Sequence, residues 1–138
     1  MNRLLLTWLL FPAALAGCNT QPPVPPIVGV WSGPMTTGNL NLLSRWELRR
    51  DGTELVTLTL PQGFLTMRGT FTFHTSSLTL RTTHRVIIWN GQKKTMPLVN
   101  PMEMTYQCQL TGDTLTLMPY DTHAKITLIR DKATGPAF

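Results

Sequence analysis

The chain has 138 residues, 42% of them hydrophobic and 14% charged, and carries a formal net charge of +5 from twelve Lys and Arg against seven Asp and Glu. That length holds one domain, the apolar share excludes a fully disordered chain, and the charged share lies well below the usual quarter. Threonine fills much of the gap, in Thr-Leu and Thr-Phe alternations that favour pleated backbone and disfavour a helical bundle.

The first seventeen residues read as a signal peptide. Asn2-Arg3 is a short positive n-region, and Leu4 to Leu15 is an apolar run too short to span a hydrocarbon core of about 30 Å. The run closes on Leu15-Ala16-Gly17-Cys18. These residues resemble the lipobox of bacterial lipoprotein precursors, in which a Leu and two small residues precede an obligatory Cys. The resemblance covers Met1 to Cys18. It implies a mature chain that begins at Cys18, acylated on sulfur and amino group and held permanently in a membrane. An Asp after the Cys would imply retention in the inner membrane; Asn19 implies the outer one, with the chain facing the periplasm.

Residues 18–27 form a tether. Pro22, Pro23, Pro25 and Pro26 favour extended polyproline II, about 3.1 Å per residue, so residues 19–26 would hold a domain roughly 25 Å from the bilayer. Without Arg3, eleven Lys and Arg remain against seven acids. They are scattered, with Arg49-Arg50 and Lys93-Lys94 as adjacent pairs, whereas nucleic-acid binding asks for a basic stripe interleaved with aromatics. No nucleic acid is therefore expected as a partner. Weak attraction to anionic headgroups and plain solvated loop tips both fit this distribution.

Residues 28–131 have a period of two, with turn signals every eight to twelve residues, which predicts an all-β domain of antiparallel hairpins. The runs fall at about 28–34, 43–49, 53–60, 64–74, 77–84, 85–89, 92–97, 103–110, 114–119 and 124–130, some of the middle ones continuous, for eight or nine strands. Residues 132–138 form a tail. A three-residue loop Arg50-Asp51-Gly52, with Gly52 left-handed, would pair Trp46 with Val56 and Leu48 with Glu54 and keep the apolar sets on one face. A Thr75-Ser76 turn would set Phe73 opposite Leu78 and Phe71 opposite Leu80. Gly69 interrupts that apolar row, as glycine does where a strand bends or another backbone approaches.

Asn90-Gly91 is a strong turn signal. Before it, Val86-Ile87-Ile88-Trp89 is apolar on both faces, so part of it is either exposed or covered by an irregular connection over Met96–Pro101. Ile88, Trp89, Lys93 and Lys94 make a candidate interaction patch with a cationic rim. A Gly112-Asp113 turn would pair Leu110 with Leu115 and Cys108 with Leu117. Cys108, alternating with Tyr106 and Leu110, reads as a small core residue. The last strand places Ile126, Leu128 and Arg130 on one face.

The hairpin order predicts a single up-and-down barrel or a strongly curved sandwich. Gly29-Val30-Trp31 on the first strand and Arg130 on the last resemble the lipocalin and fatty-acid-binding superfamily, above all small bacterial lipocalin-like lipoproteins. That resemblance implies that Arg130 packs across the Trp31 indole and closes the barrel. This domain is shorter than the usual lipocalin, and no long helix follows its strands.

Catalytic motifs give no lead. The chain contains no Gly-x-Ser-x-Gly elbow, P-loop, dinucleotide fingerprint or zincin helix. Asp121 and His123 have no assignable serine, and His74 falls at one hairpin end while His84 lies at the other end of the following strand, about a strand length away and too far to share a metal with His123. No enzyme, metal or cofactor is expected. Met35, Met67, Met96, Met102, Met104 and Met118 suit either an adaptable apolar cavity or irregular gaps in a solid core. The expectation is a membrane-anchored binding module for a small apolar ligand or lipid; the alternative is an interaction or inhibitor lipoprotein with a solid core and an envelope protein as partner.

Overall fold

The computed structural model describes residues 24–37, 39–121 and 124–132. The signal peptide, Cys18, most of the tether, His123 and residues 133–138 of the tail lie outside these residues. Eight strands follow one another: β1 Gly29–Thr37, β2 Leu40–Leu48, β3 Thr53–Leu60, β4 Gly63–His74, β5 Ser77–Trp89, β6 Gln92–Thr111, β7 Thr114–Pro119 and β8 Ile126–Arg130. Each is antiparallel to the next, and β8 returns to β1 through Trp31–Arg130 and Ser32–Ile129, closing an up-and-down barrel. Closure resolves the choice between barrel and sandwich, because every strand obtains two neighbours along part of its length.

Turn chemistry sets the registers. The Arg50-Asp51-Gly52 loop pairs Trp46 with Val56 and Leu48 with Glu54. Gly52 has φ +87°, and the Asp51 carboxylate accepts bonds from the Thr53 amide and hydroxyl, which holds that carboxyl below its ordinary value. Phe73–Leu78, Phe71–Leu80, Leu110–Leu115 and Cys108–Leu117 pair as their turns predict. Thr75 (φ 62°) and Asn90 (φ 50°) take the left-handed conformation that tight hairpins need. Gly69 sits at a bulge where β4 shifts register against β5, and a Cβ there would strike the Arg81 carbonyl.

Alternation then builds the core. Trp31, Trp46, Leu48, Val56, Leu58, Phe71, Leu78, Leu80, Tyr106, Cys108, Leu115, Leu117, Ile126 and Leu128 are all buried in one core. Ile27, the last residue of the expected tether, is also fully buried there, so the packed domain starts before its first strand. Leu110, expected beside Cys108 on the apolar face, is 37% exposed at the strand end.

The middle runs are continuous, as expected for some of them, and one reading there changes. Residues 85–89 and 92–97 are the ends of β5 and β6. Met96–Pro101 is no loose connection over the barrel but part of β6. Thr82 pairs with Met102 and His84 with Pro97, so Thr83 alone faces Leu98, Val99, Asn100 and Pro101, which bulge outward with Val99 97% exposed. Pro97 and Pro101, lacking amide donors, favour such an interruption of the ladder.

Candidate functional site

The barrel has two unlike ends. At the end where the chain enters, the Arg130 guanidinium lies 4.2 Å from the centre of the Trp31 ring. Arg130 Nη1 donates to the Val28 carbonyl and Nη2 to the Pro26 carbonyl, both at 3.1 Å. Trp31 Nε1 donates to the Ile27 carbonyl at 2.9 Å, which draws the incoming segment under the indole. Asp113, from the β6–β7 turn, approaches Arg130 Nε at 3.6 Å and Lys132 Nζ at 2.9 Å. Gly29 has φ +147°, a conformation that favours glycine, and a Cβ there would lie 2.6 Å from Arg130 Nη1, so a side chain would displace the guanidinium. Gly29, Trp31 and Arg130 therefore meet in space, and this end of the barrel is plugged.

Further along the axis the interior is not filled. A cavity of about 180 Å³ lies between Met35 of β1, Trp46 of β2, Val56 of β3 and Met67 of β4 on one side, with Leu80, Thr82, Met102, Met104 and Tyr106 from β5 and β6 on the other. Four of the six methionines singled out from the sequence thus line it. Its opening follows from strand lengths. β6 runs for 20 residues, whereas β7 and β8 have six and five, and β6 pairs with β7 only from Tyr106 onward. The register of β1 with β8 stops at Ser32. The wall is therefore notched between β6 and β1, where Met35 and Met104 are half-buried and Met102 is 40% exposed.

Polar groups fix the shape of this cavity. Trp46 Nε1 donates to Ser44 Oγ at 3.0 Å, and the fully buried Ser44 hydroxyl donates to the Gly33 carbonyl at 2.9 Å. This relay locks the indole, against which the Tyr106 ring packs edge-on with centroids 5.7 Å apart. Thr82 Oγ1 donates to Glu54 Oε1 at 3.3 Å. Glu54, on the inward face of β3, is 1% exposed, and its Oε2 is buried without a hydrogen-bond partner. Burial pushes its pKa up to about 7, with the Thr82 bond opposing the shift. Burial, reinforced by Glu54 and Asp121, pushes Tyr106 up to about 12. Cys108 is a free, buried thiol raised to about 11 by burial.

The candidate patch is divided by the pleat. Ile88 pairs with Phe64 and Lys93 on the outward face, whereas Trp89 pairs with Gly63 and Gln92, and Lys94 with Ile87, on the inward side at the far rim. The four residues do not share one surface. The outward row instead runs Leu43, Thr59, Phe64, Ile88 and Lys93 across five strands, with Leu43 and Phe64 exposed.

Among the described residues no three His, Cys, Asp or Glu side chains converge as a metal site would require. His74 and His84 lie at separate levels of the wall, paired with Ser77 and with Arg68 and Pro97. Glu54, Thr82, Ser44 and Phe64 did not stand out in the sequence. The hairpin register placed Glu54 on the inward face, and that parity was the available signal. No protein-family model, curated protein or solved structure matches the chain.

Proposed function

We propose that this protein is a non-enzymatic lipoprotein of the bacterial cell envelope, anchored through acylated Cys18, whose lipocalin-like barrel holds a small apolar ligand. The methionine-lined cavity carries the reading. A void of about 150 Å³ holds one benzene ring, so 180 Å³ suits one ring or a short stretch of alkyl chain rather than a whole lipid. Thioethers adapt to ligands of varied shape. The plugged end faces the tether, so the notch between β6 and β1 is left as the way in.

A second reading, a protein-binding accessory or inhibitor, is favoured by the outward row with Leu43, Phe64 and Ile88. One experiment separates the two. Toluene is titrated into the full chain carrying ¹³C-methyl methionine. The ligand reading expects saturable shifts at the Met35, Met67, Met102 and Met104 methyls, with Met118 unmoved. No saturable shift at those four would leave the accessory reading in its place.

A further inference from the structure

Glu54, Gly69, Thr82 and Met102 pair in turn across β3, β4, β5 and β6. Their side of the sheet is the interior, where Thr82 and Met102 line the cavity. Gly69 places no side chain between Glu54 and Thr82, and this gap lets the Thr82 hydroxyl reach Glu54 Oε1. Oε2 has no such donor. A carboxyl that is 1% exposed and half-satisfied demands an explanation, because an unmet buried acceptor costs more than its bond would contribute. The carboxyl stands one hydroxyl away from an empty apolar space whose wall also presents Trp46 and Tyr106.

We infer that the cavity's ligand is a small apolar primary amine, its ring or alkyl part among the methionines and its ammonium donating to Glu54 Oε2. This rests on the reading that the cavity takes an apolar ligand, and it adds the ligand's chemical class. A hydroxyl would also satisfy Oε2, but only an ammonium compensates a buried carboxylate charge as well. The aromatic faces of Trp46 and Tyr106 attract the same cation. Arg85 Nε is likewise buried and unpartnered; like Glu54, Arg85 is not among the residues that line the cavity, but it belongs to the next row, with Met67 and Met96, whereas Glu54 is joined to the lining by the Thr82 bond. Arg85 is the group that an acidic ligand would seek.

Benzylamine, benzyl alcohol, benzoate and toluene form a nearly isosteric series for the test. Affinities are read from the methionine methyl shifts of the full chain and of its Glu54→Gln variant. Benzylamine should bind the wild-type chain about tenfold or more tighter than benzyl alcohol, and Glu54→Gln should bring the two within about twofold. The Glu54 carboxyl carbon of the wild-type chain should move to its ionised position on adding benzylamine and not on adding benzyl alcohol. That measurement holds even if the variant fails to fold. Equal binding of benzylamine, benzyl alcohol and toluene would overturn the amine while keeping the apolar cavity. Preference for benzoate would overturn it in favour of Arg85, and no binding by any probe would remove both readings.

Discussion

Glu54 couples the stability of the fold to pH through its burial. Its pKa is raised from 4.5 to about 7 by burial, so the unfolded chain ionises first as pH rises. Stability contributed by the neutral form is fully present below pH 4.5, declines through the window up to about 7, and then levels off. At about 1.4 kcal/mol per unit, the decline is of order 3 kcal/mol. Tyr106 and Cys108 titrate at about 12 and 11, well above this window. Urea denaturation of wild type at pH 5 and pH 8 should therefore show weaker folding at pH 8, and Glu54→Gln should flatten that difference. At the plugged end, Trp31→Ala should cost about 3–5 kcal/mol through the cavity it leaves. Arg130→Ala should cost less, about 1–2 kcal/mol, because it removes carbonyl bonds and a cation–π contact rather than core volume. Equilibrium denaturation of the two variants checks the order.

Among the elements, β6 has the longest free edge. Over residues 92–105 it pairs with β5 but has no β7 partner, and a free strand edge invites pairing with another chain. Lys93, Lys94, Pro97, Glu103 and the bulge ending at Pro101 protect it with charges, missing amide donors and a break in flatness. Replacing Lys94 and Pro97 together with Val should leave the monomer's fold intact and promote association between chains. Light scattering and size-exclusion chromatography against concentration read that outcome. Without the protection β6 would be a long, flat edge; with it, the short β7 and β8 leave an opening rather than an aggregation site.

At the scale of the molecule, the entry of the chain and the notch lie toward opposite ends of the barrel. The chain enters beneath Trp31, beside the β2–β3, β4–β5 and β6–β7 turns, whereas the β5–β6 hairpin projects from the opposite end. An anchor at Cys18 would leave the notch and hairpin tip away from the bilayer. The Cys18→Ser precursor should lose palmitate-analogue labelling and leave the membrane fraction, while the unmodified chain retains both. Continued labelling of the Ser variant would remove the lipoprotein reading.

Much of this barrel was legible in the residues, because period-two alternation admits one parity per hairpin. Trp46 opposite Val56, Phe71 opposite Leu80 and Cys108 opposite Leu117 all follow from a turn length and an apolar face. Gly-x-Trp and an Arg on the last strand also pointed to where the first and last strands meet. Alternation does not report volume, however, so the same methionines suited a solid or a hollow interior. The cavity depended on how far each strand extends past its neighbour, a property of the closed sheet as a whole. Tertiary structure likewise decided the fate of Val86–Trp89, whose continuous apolarity hid its parity until pairing with Phe64 and Gly63 assigned each side chain a face. Glu54 lies between these cases. Its inward position followed from the register with Leu48, but its unmet oxygen depended on Gly69 and Thr82, brought to it by two further strands.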